Sequence, residues 1–182
     1  ITEVVTTVYE RTGVKLTAVE VSKGIEELGE TDEVGTAVEN VVRYHNNGGA
    51  LSPSEIARSW QGTSKYPGID NYSDIIVKKG ERIYRGEPNG TEYFTTRAAI
   101  EQCGREATAI FEGLQVEKNP IYGYRGTMQG YIVSEDIKVA YGLAEANPQF
   151  GKGGLPQLFV PNVQELIDQK ILIPADSILL IK

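Results

Sequence analysis

The chain has 182 residues, with 18 Lys and Arg against 25 Asp and Glu, a net charge of −7, one Cys and one His. A single Cys excludes an internal disulfide, and one Cys with one His excludes a His/Cys zinc site built within the chain. The acidic balance argues against nucleic-acid backbone binding, and no apolar run is long enough for a membrane span.

The sequence opens on Ile1-Thr2-Glu3, without an initiating Met or a leader, and reads as a piece of a longer polypeptide. Ala18, Val21, Ile25 and Leu28 recur at helical spacing, as do Val34, Val38, Val41 and Val42 up to the stop signal Asn46-Asn47-Gly48-Gly49. Ser52-Pro53-Ser54-Glu55 combines a capping Ser, a first-turn Pro and a Glu three residues on, and predicts a helix through Trp60. Gln61 to Tyr72, rich in Gly, Ser, Asn and Pro, reads as a linker. These features predict a helical unit over 1–72 and a second unit over 73–182.

Past Asp74 the grammar becomes that of strands. Ile75 to Val77, Arg82 to Tyr84 and Glu92 to Thr96 are short β-prone pieces separated by Lys79-Gly80 and Pro88-Asn89-Gly90. Thr96 caps a predicted helix from Arg97 to Leu114, with Ala98, Cys103, Ala107, Ile110 and Phe111 as its buried stripe; Cys103 is then a small core residue rather than a nucleophile. Further strands are expected at Gly130 to Val133, Asp136 to Tyr141, Leu158 to Val160 and Ser177 to Ile181, with a helix from Val163 to Gln169 capped by Asn162. The fold class is α+β: a small helical N-terminal region followed by a mixed, mainly antiparallel β core.

Few residues offer chemistry. His45 lies at a predicted helix C-terminus, where positive charge is favoured, and Glu26-Glu27 and Asp32-Glu33 read as solvated charge. Arg85, between Tyr84 and Gly86 just before a turn, reads equally as an exposed strand Arg or as a guanidinium placed for bidentate capture of phosphate or carboxylate. The segment Asn147 to Pro161 carries Gly151, Gly153 and Gly154 beside Lys152, a tight or mobile loop whose amides stand ready for a ligand, before a strand that begins at Gln157.

These two segments, in this order, resemble the tuberculosis necrotizing toxin family of NAD glycohydrolases, a branch of the ADP-ribosyltransferase-like toxins at the C-termini of bacterial polymorphic toxins. The resemblance rests on Arg85, Gly90-Thr91, Pro148, Phe150-Gly151, Gly153-Gly154, Gln157-Leu158-Phe159, Pro161 and Glu165-Leu166-Ile167-Asp168. Two departures stand out: Leu155-Pro156 separate the glycines from the Gln strand, and Gln129 takes the place of the family's histidine. The resemblance implies an ADP-ribosyltransferase-like β core and cleavage of the nicotinamide–ribose bond of NAD or NADP as substrate, with no cofactor or metal. It implies Arg85, Gln157 and Gln129 as catalytic residues, and Tyr84, Tyr93, Phe94, Thr95, Phe150, Gly153 and Gly154 as substrate contacts. It further implies a secreted or cell-surface-delivered toxin, as in contact-dependent inhibition, that acts in the target cell's cytoplasm and pairs with a cognate immunity protein. An ADP-ribosyltransferase, which commonly has Glu where Gln157 stands, and a nuclease toxin are the alternatives.

Overall fold

The computed structural model describes residues 51–62 and 65–182; the predicted helices at 17–28 and 34–44, and His45, lie outside them. The elements are α1 (Pro53–Ser59), β1 (Ser73–Val77), β2 (Arg82–Glu87), β3 (Tyr93–Phe94), α2 (Arg97–Gln102), α3 (Ala107–Gly113), β4 (Thr127–Val133), β5 (Ile137–Leu143), a 3₁₀ turn (Pro148–Phe150), β6 (Pro156–Phe159), α4 (Val163–Asp168) and β7 (Leu172–Leu179). The class is α+β, with one sheet ordered β1-β5-β6-β3, a second ordered β2-β4-β7, and every strand pairing antiparallel.

Strand alternation explains the layering. Successive side chains point to opposite faces, so β2 sends Ile83 into the core between the sheets and Tyr84 toward the helices. In the same way β5 divides Val139 from Ala140, and β6 divides Leu158 from Phe159. Val77, Val139 and Leu158 from one sheet thus meet Ile83, Val133 and Leu172 from the other. The outer face of the second sheet packs Met128 and Ile178 on Ile100, Ile110 and Phe111, while Ala57 of α1 and Tyr72 cover the outer face of the first on Ala140 and Phe159.

The Ser52 cap forms as expected, its hydroxyl accepting from Glu55 N at 3.3 Å. The helix expected from Arg97 to Leu114 is instead two helices. Gly104 and Arg105 both adopt left-handed backbone (φ +62 and +60), and the chain there pairs with Ile181: Ala107 N donates to Ile181 O at 2.8 Å, and Ile181 N to Arg105 O at 2.8 Å. Its first buried residues are Ala99 and Ile100 rather than Ala98, which is exposed, while Cys103 is half-buried against the core. Asn162 does not cap α4 through its side chain; it takes left-handed backbone (φ 57), which Asn tolerates.

The last strand begins earlier than its sequence pattern indicates. Pro174 masks its first half, yet β7 is an edge strand, where a missing N–H is tolerated. Between Gln129↔Ser177 and Tyr131↔Pro174 β7 carries an additional residue, a bulge that turns the second half of the strand to the other face.

Candidate functional site

The two sheets are linked by a backbone bridge in which Tyr84 N donates to Thr95 O at 3.0 Å and Thr95 N to Tyr84 O at 2.7 Å. Beside this bridge lies a cleft of about 380 Å³, a volume within the range of small-molecule sites. Tyr84 and Met128 of the second sheet line it, with Tyr93, Phe94, Thr95 and Gln157 from the first. Trp60, Gln61, Tyr66 and Asp70 close one side, and the segment after α3 closes another.

The floor is organised by a carboxylate that the sequence reading passed over. Asp70, 5% exposed, accepts from the amides of Glu145 and Ala146 through Oδ1, both at 2.8 Å, and from Gln61 Nε2 and Gln157 Nε2 through Oδ2, both at 2.8 Å. Its own amide donates to Gln61 Oε1 at 2.7 Å. The carboxylate oxygen accepts, so it is the NH₂ of Gln157 that faces Asp70. The Gln157 Oε1 is thereby turned away from Asp70 and becomes the acceptor this side chain has left to offer.

An aromatic wall stands nearby. Trp60 meets Phe159 edge to face at 5.0 Å and Tyr93 at 6.3 Å, and Tyr93 meets Phe159 at 5.3 Å. Burial pushes the Tyr93 phenol above its ordinary range, so it stays neutral. Thr95 is buried, with Oγ1 donating to Pro156 O at 2.7 Å, which fixes the start of β6 next to Gln157. Tyr84, also buried, donates its hydroxyl to Asp176 at 3.1 Å.

Five of the ten residues singled out in the sequence, Tyr84, Tyr93, Phe94, Thr95 and Gln157, therefore converge on one cleft, and the other five do not line it. Arg85 folds inward: Nε donates to Glu87 Oε1 at 2.8 Å, Nη1 to Thr91 O at 3.2 Å and Nη2 to the Tyr131 hydroxyl at 3.2 Å, with the guanidinium near the Phe94 and Tyr131 rings. That geometry ties the β2–β3 connection to β4 instead of presenting the Arg to an anion. Gln129 lies opposite Arg85 on β4, but its Nε2 donates to the carbonyls of Gly130, Ala175 and Asp176 at 2.9, 3.2 and 3.3 Å, closing the β7 bulge.

The glycine loop is likewise a scaffold. Gly153 N donates to Glu112 O at 3.1 Å, Gly154 N to Ala144 O at 2.8 Å and Leu155 N to Gly113 O at 3.1 Å, so these amides serve the protein rather than a ligand. A Cβ on Gly153 would run into the Ala144 carbonyl, a close approach that requires Gly at φ +69. Phe150 packs on Tyr66 at 4.8 Å, supporting the wall from behind.

Besides Asp70, the sequence reading missed Arg125 at the cleft's edge and the buried pair Gln115 and Asn147. Gln115 Oε1 accepts from Asn147 N at 2.8 Å, while the Asn147 amide pairs with Gly68 N and O at 2.9 and 3.0 Å. Asn147 so holds the 65–72 segment, and with it Asp70, against the rest of the cleft. Arg125 donates to the carbonyls of Pro88 and Asn89 at 2.9 and 3.0 Å.

Residues 49–162 match the Rhs1 C-terminal toxin domain. The chain belongs to the Rhs1 C-terminal toxin domain family. Among solved structures, this toxin domain is similar to the one described as Rhs1-CT in complex with cognate immunity protein RhsI1, at 29% identity and a TM-score of 0.65, covering 72% of this chain and 98% of that one. The structure of Tse6 in complex with Tsi6 aligns at 11% identity and a TM-score of 0.43, covering 88% of this chain and 99% of that one. No curated protein matches. The Rhs1 match spans α1, the 65–72 segment and the strands up to β6, so every cleft residue named above lies within it.

Proposed function

We propose that this Rhs1-type toxin domain hydrolyses the nicotinamide–ribose bond of NAD or NADP in the cleft floored by Gln157 and Asp70, depleting the dinucleotide in a target cell. The observation that carries the reading is the convergence of Gln157 with Tyr84, Tyr93, Phe94 and Thr95 on one cleft. The substrate's nicotinamide is a cation, which aromatic faces such as Trp60 and Tyr93 attract. As the C1′–N1 bond breaks, the ring leaves with the bonding pair and becomes neutral, so it needs no proton. Positive charge then builds on the ribose, and the Asp70 carboxylate behind Gln157 favours it electrostatically. Gln157 Oε1, turned away from Asp70, accepts a hydrogen bond from the attacking water; the water oxygen bonds C1′ and its proton passes to solvent.

Arg85 acts here at one remove, tying the β2–β3 connection through the Thr91 carbonyl while its guanidinium lies over the Phe94 ring that lines the cleft. The similar Rhs1-CT was solved with its cognate immunity protein, which supports a cognate immunity partner for this chain as well; delivery into a target cell and action in its cytoplasm belong to the same proposal. Nicotinamide release from NAD and NADP by wild type and Gln157→Ala tests the reading. The variant should lose at least about tenfold in kcat, equivalent to about 1.4 kcal/mol of barrier. Transfer of labelled ADP-ribose to a macromolecule would establish a transferase instead, and no turnover with concurrent RNA cleavage would establish a nuclease.

A further inference from the structure

A second groove, of about 530 Å³, opens from the cleft and shares Phe111, Val116, Glu117 and Arg125 with it. Its side-chain charge is opposite to that of the whole protein: in a chain of net charge −7, it is lined by Lys65, Lys118, Arg125 and Lys182 against a single acidic side chain, Glu117. Lys65 pairs with Glu117 at 3.0 Å, whereas Lys118, Arg125 and Lys182 meet no carboxylate among the described residues. Lys118 lies over the Tyr124 ring at 5.5 Å, and that ring stacks on Phe111 at 5.5 Å and 23°. Lys182 runs past Gly126, where an added methyl would come within 3.3 Å of its Cε. Tyr122, 80% exposed, adds an uncovered aromatic to the same lining.

Concentrated unpaired cations beside aromatic rings suit a phosphorylated nucleoside: phosphate takes the charges and the base takes a ring face. Arg125 borders both cavities, and its Nη1 meets no acceptor among the described residues. That junction suits the pyrophosphate, which separates the two nucleoside halves of a dinucleotide. We infer that the groove holds the adenosine half of the substrate, with Lys118 and Lys182 receiving a phosphate on its ribose, so that NADP is preferred over NAD. The inference rests on the dinucleotide reading above and adds to it a specificity determinant outside the catalytic cleft. An additional monophosphate brings between about one and two negative charges at neutral pH, which is what two unpaired ammonium groups accommodate.

The experiment compares binding of adenosine 2′,5′-bisphosphate and AMP, by titration calorimetry, to wild type, to Lys118→Ala with Lys182→Ala, and to Lys118→Arg with Lys182→Arg. Wild type should bind the bisphosphate at least about tenfold more tightly than AMP, the Arg pair should keep that preference, and the Ala pair should abolish it. Circular dichroism on each variant separates lost binding from lost fold. Equal affinities in wild type, no binding of the bisphosphate, or a preference that survives both Ala substitutions would overturn the assignment. Nicotinamide release is followed on the same wild-type sample. A bisphosphate preference without turnover keeps the groove and rejects the hydrolase, whereas turnover without the preference rejects the groove alone.

Discussion

Replacing Asp70 by Asn tests whether one carboxylate orients the floor of the cleft. In the wild type four N–H donors converge on it, all at 2.8 Å. Asn retains an oxygen for the amides of Glu145 and Ala146 but sets its own NH₂ against those of Gln61 and Gln157. Gln157 relieves the clash by rotating its amide. Gln61 does so only by giving up the 2.7 Å bond its Oε1 accepts from the residue 70 amide. One hydrogen bond lost without replacement at a buried site, together with loss of the charge-assisted character of the rest, amounts to about 2 kcal/mol. Asp70→Ala leaves all four donors without their acceptor and should cost about 4 kcal/mol or more. At about 2–4 °C of Tm per kcal/mol for a chain of this size, Asp70→Asn should melt roughly 4–8 °C below wild type. Urea and thermal unfolding give the stability change, and nicotinamide release gives the consequence of a rotated Gln157. An Asp70→Asn protein within about 0.5 kcal/mol of wild type and fully active would refute the orienting role, since that is the scatter of ordinary surface substitutions.

Other perturbations probe separate parts of the structure. Gly153→Ala forces a methyl into the Ala144 carbonyl, whereas Gly154→Ala, also at positive φ, meets nothing within 4 Å. Unfolding free energies should therefore fall by about 1 kcal/mol for Gly154→Ala and by several for Gly153→Ala, and equal losses would contradict the packed loop. At Asp176, desolvation raises the carboxyl pKa, but the Tyr84 hydroxyl, its own backbone amide and Arg82 outweigh it and hold the pKa below 3.8. A depressed folded pKa gives stability that is present above the unfolded value and lost as pH falls through the folded one. In melting curves from pH 5 to 2, Asp176→Asn should accordingly show a smaller acid-induced drop in Tm than wild type; identical drops would remove Asp176 from the account. Trp60, the chain's one Trp, stands 47% exposed on the cleft wall, so ADP-ribose or nicotinamide titrated into the protein should shift its emission, and an unchanged spectrum at saturation would place the ligand elsewhere.

Where local chemistry and tertiary packing agree, the structure could be read from the sequence. The Ser52 cap, the strands around Ile75, Arg82 and Val139, and the turn at Pro88-Asn89-Gly90 depend on neighbours in the chain, and they occur where expected. The expected single helix over 97–114 fails because Arg105 and Ala107 find their backbone partner in Ile181, more than seventy residues away, which no local pattern announces. The site divides along the same line. Gln157 is visible as an amide opening a buried strand. Asp70 is hidden in a Gly- and Pro-rich stretch that reads as a linker, and its role depends on Asn147 gripping Gly68 from across the fold. Arg85, chosen for its charge, has its donors taken by Glu87, Thr91 and Tyr131, a satisfaction that becomes apparent only once β2 and β4 are paired.

The Tyr84–Thr95 bridge makes the cleft a seam between two separately hydrogen-bonded sheets. A molecule wedged there grips both sides of the seam, so its binding energy also opposes their separation. Occupancy and mechanical integrity then become one quantity, rising as RT ln(1 + [L]/Kd) for any ligand that favours the closed seam. A protein that plugs the same seam from outside would tighten the fold it silences, leaving an inhibited toxin harder to unfold than a free one.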